Sequence, residues 1–271
     1  MTVLDVPLTT VAAKPAEAEA PLAPAARLLP SLAAVYRAQL ARAKVARIPL
    51  LFVATFQSLG ILLMMRGVVG PEEVESARSV VAGSSVLVVA FVALNLLAQY
   101  FGRLRATGGL DHYATLPVRP AAVVLGAAAA YASFTVPGAL VTAGVGAWMF
   151  SLPMAHLWVL LAVIPPAGAA LAGLGAACGL LAPRQELATL LGQLGMSAAL
   201  LLGVLPVDQL PGPVLLLRDL LPSTYGVEAF ARSFAAEPDW AAVLRDLTVC
   251  GAVGLVSLAV ATWAYRRAAT R

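Results

Sequence analysis

The sequence predicts an all-α, polytopic membrane protein. It has six transmembrane helices, both termini on the inner side, an N-terminal amphipathic interfacial helix and a short re-entrant helical segment before the last span. Three observations carry this reading. Hydrophobic residues make up 61% of the 271-residue chain and charged residues only 12%, against about 25% charged in a soluble domain. Mean hydropathy is +0.87, so lipid is the solvent for most of the chain. The apolar residues also fall into runs near the ~20 residues that a helix needs to cross a bilayer.

Residues 1–30 are rich in Ala and Pro with scattered Glu and Lys. They lack the basic start and apolar core of a signal peptide and read as a disordered cytoplasmic tail. From residue 31 the transmembrane domain runs to 271. It opens with a helix over 31–47, in which Leu32, Val35, Tyr36, Leu40 and Ala43 share a side and Arg37 and Lys44 face another. That pattern fits a basic helix lying on the inner membrane surface, with Arg47 snorkelling to the headgroups. Spans follow at approximately 49–69, 80–101, 121–150, 157–181, 187–205 and 243–265. The third and fourth are separated only by SLPMAH, where Pro153 makes the turn, because one helix through both would far exceed a bilayer.

Orientation follows from the basic residues. With the N-terminus inside, 13 Lys and Arg fall in inner segments and five in outer ones, the asymmetry expected of cytoplasmic retention. Residues 206–240 are too long for a turn and too apolar for a solvated loop. Short helices dipping into the outer leaflet and a folded cap over the helix ends both account for them.

Several chemistries are absent. Lys14 and Lys44 are the only lysines, and neither stands in a G-x-x-x-x-G-K-[ST] pattern, so the chain has no P-loop for ATP. His112 and His156 belong to no H-E-x-x-H motif and no carboxylate spacing suggests a metal set. Serines beside glycine, such as Ser84 after Gly83, have no nearby histidine in the sequence and read as packing residues. The basic residues sit at the ends of apolar runs rather than in a stripe interleaved with aromatics, which argues against nucleic acid. Cys178 and Cys250 lie in apolar runs and specify neither a disulfide nor a compartment.

No Asp, Glu, Lys or Arg falls near the middle of a span, which disfavours ion-coupled transport. The polar residues within spans are amides and hydroxyls, which commonly bond a neighbouring helix. Gln57, Asn95 and Gln193 are the candidates for lining a translocation path. Gly175 and Gly179 in the fourth span are spaced for close helix approach. Pro137, and Pro165 with Pro166, predict kinks in the third and fourth spans.

Two segments go beyond hydropathy. RLRATGGLDHYATLPVRPAAVVLG runs from Arg103 to Gly126, with a basic, glycine-containing start, a short amphipathic stretch and a Leu-Pro before the next apolar run. LLPSTYGVEAFARSF runs from Leu220 to Phe234 before the last span. With the surface helix and the six-span plan, they resemble the membrane (permease) subunits of type-two ABC exporters, the class that includes drug-resistance and polysaccharide-export permeases. The second segment departs from the commoner Asn-Pro form, having Leu221-Pro222-Ser223.

The resemblance implies a permease in the cytoplasmic membrane that exports a hydrophobic or amphipathic compound. It implies a soluble ATPase partner that binds the ATP, a second permease subunit, identical or homologous, and no cofactor in this chain. It further implies a coupling helix after the second span, with Thr107, Gly108, Leu110, Asp111, His112, Tyr113, Leu116 and Pro117 contacting the ATPase. The re-entrant segment, with Pro222, Tyr225 and Glu228, would lie at the outer end of the pathway. The competing readings are a non-transporting membrane scaffold or immunity-type protein and an intramembrane enzyme.

Overall fold

A computed structural model describes residues 27–42, 47–70, 73–204 and 221–269. The proposed tail up to Ala26, the Ala43–Ala46 part of the surface helix and the Leu205–Leu220 part of the pre-span segment lie outside the described residues. All regular structure among the described residues is helical. In chain order the helices are α1 (Leu28–Arg42), α2 (Arg47–Arg66), α3 (Val74–Ala106), α4 (Gly109–Ala114), α5 (Pro120–Met149), α6 (Val159–Leu181), α7 (Gln185–Val204), α8 (Pro222–Ser233) and α9 (Trp240–Ala269). Six of them, α2, α3, α5, α6, α7 and α9, are long and apolar enough to cross a membrane.

Local chemistry sets several boundaries. Pro120 and Pro222 occupy first-turn positions of α5 and α8, where a missing N–H costs nothing and the fixed φ suits a helix start. Asp239 caps α9, its Oδ1 accepting from the amides of Ala241 and Ala242 at 3.0 and 3.1 Å. Pro137, Pro165 and Pro166 lie inside α5 and α6, which continue as helices through them. Neighbouring helices make such prolines tolerable in a membrane bundle.

The bundle is organised around α3, whose apolar window is 89% buried, whereas α2, α9 and α7 bury only 22%, 28% and 33% of theirs. These outer helices turn Phe52, Phe56, Leu63, Leu190, Leu194, Leu255 and Trp263 outward. Such a surface would aggregate in water and suits a lipid solvent.

Lipid supplies no hydrophobic drive between helices, so close backbone packing must hold the bundle. Glycines provide it. Gly173 of α6 meets the backbone of Ser257 and Leu258 on α9, and Gly254 of α9 meets Ala169 and Ala170 of α6. Gly175 sits against the Leu94 backbone of α3, while Gly179 approaches Ala98 and Gly102. Residues Ala90–Leu96 of α3 form a π-helical stretch, and Gly175 of α6 and Gly195 of α7 both pack on Leu94 within it. Two small partners leave room for a widened backbone that bulkier residues would crowd.

α1 lies against α5, with Val35 over Gly126. Its most buried stripe is Ser31, Val35 and Gln39, with Leu32, Tyr36 and Leu40 half-buried beside it. The polar members of the stripe are paired: the Ser31 hydroxyl donates to the Arg27 carbonyl, and Gln39 reaches α3.

Candidate functional site

One end of the bundle gathers the α3–α5 connection, the α6–α7 turn and the end of α9. Arg103, Arg105, Arg119, Arg184, Arg266 and Arg267 all fall here. The chain leaves α3 at Thr107, whose hydroxyl donates to the Arg103 carbonyl at 3.0 Å. Gly108 then takes φ +70°, a left-handed conformation that glycine adopts without the Cβ penalty of other residues. This turn reverses the chain into α4. At its far end the Thr115 hydroxyl donates to the His112 carbonyl at 2.8 Å, and Leu116, Pro117 and Val118 lead to α5.

α4 has two unlike sides. Leu110 is 4% exposed and Tyr113 is half-buried against the core, whereas Asp111, His112, Leu116 and Pro117 are exposed, as are Thr107 and Gly108. Tyr113 joins a polar relay. Its hydroxyl lies 3.3 Å from that of Tyr100 on α3, and Tyr100 accepts from Gln39 Nε2 of α1 at 2.6 Å. One hydrogen-bonded chain thus ties the N-terminal helix, the central span and the short helix after it.

Arg105 fastens the same end to α6. Its guanidinium donates to the carbonyls of Leu180 and Ala182 at 2.8 and 2.7 Å. Those oxygens lie at the end of α6, where carbonyls have no intrahelical donor, and a cation there also complements the helix dipole. A push on α4 would therefore reach α3, and through Arg105 reach α6, without crossing a flexible linker. The sequence marks Arg105 as a topology charge and as part of the basic start of the 103–126 segment; no local pattern reveals a partner 75 residues away.

Within the bundle, Asn95 is 1% exposed and belongs to the π-helical stretch. Its Oδ1 accepts from Gln99 Nε2 at 3.0 Å, and Gly192 of α7 packs beside it. Gln193, the next residue on α7, is exposed, and Gln57 is half-buried on α2. Asn95 and Gln193 thus occupy adjoining helices on different faces, and Gln57 belongs to a third helix.

At the opposite end, Trp158 stacks on Trp240 with centroids 5.9 Å apart, in keeping with an interfacial aromatic belt. α8 packs against α9, α6 and α3, with Tyr225 and Glu228 half-buried and Ser223 and Thr224 buried. Arg232 of α8 lies 3.6 Å from Glu228 and 3.2 Å from Asp246 of α9. Asp246 is 3% exposed, and Arg245 approaches its other oxygen at 3.5 Å. The Arg232 contact is close enough for charge pairing, although its Nε–H is not aimed along a hydrogen bond. Sequence reading missed this buried carboxylate, whose signal was an acid beside Arg245 in the first turns of a span. A cavity of about 410 Å³ next to it is lined by Glu75, Arg78, Glu228, Arg232, Glu237 and Asp239. A second, apolar groove of about 440 Å³ opens between α1, α5, α6 and α9. No group of three or more His, Cys, Asp or Glu able to hold a metal occurs among the described residues.

Six apolar helices, one of them a buried central span, with the charged residues gathered toward the two ends, define a multi-pass helical membrane protein. Residues 21–263 match the model of the ABC-2 family transporter proteins, and the chain belongs to that family. No curated relative matches the sequence. Family membership makes the chain the membrane permease subunit of an ABC transporter, a transport component rather than a catalytic domain, and implies an ATPase subunit as its partner.

Proposed function

We infer that this permease exports a hydrophobic or amphipathic compound, drug-, lipid- or glycan-like, across the cytoplasmic membrane, driven by ATP hydrolysis on a separate soluble subunit. The two-sided α4 carries this reading. Its Leu110 and Tyr113 hold it to the membrane helices while Asp111, His112 and Leu116 are free to meet a partner. The basic end then faces the cytoplasm, in line with the distribution of Lys and Arg, and both termini lie there. A rigid-body push delivered through α4 is the kind of displacement that switches a packed bundle between two arrangements.

A second permease subunit, identical or homologous, completes the pathway in this reading. The outward apolar faces of α2 and α7 offer the surface for it. α8, with Pro222, Tyr225 and Glu228, stands at the outer mouth. The span centres, which hold no Asp, Glu, Lys or Arg, suit a cargo that travels without a fixed counter-ion.

The test is purification of the tagged chain in mild detergent, followed by transport in vesicles. The reading predicts that a P-loop ATPase copurifies, and that vesicles holding both proteins accumulate an amphipathic dye only with ATP. Recovery of the chain without any ATPase, and normal compound efflux after its deletion, would favour a non-transporting scaffold instead.

A further inference from the structure

The seam between α2, α3 and α5 contains three buried hydroxyls that no described residue satisfies. Ser58, Ser84 and Thr142 are each 0% exposed, and none of their oxygens has a hydrogen-bond partner among the described residues. This is unusual within the molecule. Ser85, Ser133, Thr135, Thr189, Ser257 and Thr262 all donate to a carbonyl of their own helix three or four residues earlier. Ser58, Ser84 and Thr142 have the same option and do not take it.

Their register brings them to one level. Gly138 of α5 faces Thr55 of α2 and Val88 of α3, and two turns on Gly146 faces Leu62 and Val81. The midpoints of these two layers are Thr142 on α5, Ser58 or Leu59 on α2, and Ser84 or Ser85 on α3. Three helices therefore contribute one unpaired hydroxyl each to the same layer. The layer at Gly146 is apolar, with Leu62 and Val81, while the layer at Gly138 sets Val88 and Leu51 beside the Thr55 hydroxyl.

We propose that Ser58, Ser84 and Thr142 form an internal hydration site, a polar pocket between α2, α3 and α5 that binds water. Each hydroxyl offers one donor and two acceptor positions, and a buried water takes about three hydrogen bonds, so three hydroxyls in one layer match its demand. A metal cation would need anionic or carbonyl oxygens in number, and this layer provides only neutral hydroxyls. An apolar occupant would leave all three polar atoms unpaired at membrane depth. The site lies where the least buried span, α2, joins the bundle, so its bridges are part of what holds α2 in place.

Thermal unfolding of the full chain in detergent tests the proposal through Ser58→Ala, Ser84→Ala and Thr142→Val, with Ser85→Ala as control because its hydroxyl is satisfied within its own helix. If water bridges the three groups, each deletion removes a hydrogen bond and lowers Tm by about 2–4 °C. The effects of Ser58→Ala and Thr142→Val are then non-additive, since both act on one shared cluster. If the seam is dry, each deletion relieves an unpaired buried hydroxyl and leaves Tm unchanged or raised, which overturns the proposal. Strictly additive losses overturn it as well. Should a variant fail to fold, a high-resolution density map of the unsubstituted chain decides. A peak at hydrogen-bond distance from at least two of the hydroxyls supports the site, and a seam without one contradicts it.

Discussion

Arg105 is bound to the end of α6 by two charge-assisted hydrogen bonds, and this side chain adds a polar tie to the close packing of the central helix on the fourth span. Its replacement by alanine strips two carbonyls at the end of α6 of their donors. Hydrogen bonds to charged groups contribute about 1.5–3 kcal/mol, and partial solvent access places this one near the lower figure. Arg105→Ala should therefore lower the unfolding temperature of the purified chain measurably, and Arg105→Lys should recover only part of the loss, because a point charge cannot reproduce the planar fork. Gly175 gives a second prediction at this scale. A Cβ there would meet the Leu94 backbone, which cannot rotate away as a side chain could. Gly175→Ala should cost about 1–3 kcal/mol through overpacking, read as a lower Tm, while alanine at Gly144, which faces open space, should be tolerated. The close-approach role of Gly175 and Gly179 was legible from their spacing. What they approach was not, because partner identity depends on how distant helices fold together.

At the scale of elements, α3 and α4 behave differently from their sequence signals. Hydropathy marks 80–101 as the second span, yet the helix continues through Arg103 and Arg105 to Ala106. Its added turns are polar on the outside and tied down on the inside. The π-helical stretch over Ala90–Leu96 left no trace in composition, since AFVALNL reads as ordinary apolar helix. Only the facing glycines explain how it is accommodated. The apolar helices themselves were legible because membrane insertion selects for length and hydrophobicity, which composition records directly. Gln39, Tyr100 and Tyr113 form a polar relay whose members come from α1, α3 and α4, and such an arrangement has no local signature. Tyr113→Phe removes the hydroxyl and retains the ring, so it should change stability by no more than about 1 kcal/mol. The same change should loosen the link between α4 and α3. The expected outcome is reduced transport per ATP hydrolysed in vesicles with little change in Tm. Equal losses of Tm and transport would mean that Tyr113 serves packing alone.

At the scale of the whole molecule, the permease has a buried axis, α3, an outward apolar shell of α2, α7 and α9, and polar fittings at each end. It carries no P-loop, and membership of the ABC-2 family implies an ATPase partner. We propose that energy enters through the exposed side of α4. Leu110 is unsuitable as a probe, since its burial means that truncation would cost about 2–5 kcal/mol and perturb the fold itself. Asp111, His112 and Leu116 are exposed and free of that objection. The most direct measurement is therefore ATP hydrolysis and transport by the reconstituted complex carrying Asp111→Ala, His112→Ala and Leu116→Ala together, set beside its Tm. Entry through α4 predicts at least a tenfold fall in transport, about 1.4 kcal/mol of lost coupling, with unfolding of the permease unchanged. Wild-type hydrolysis and transport by the triple variant would contradict it.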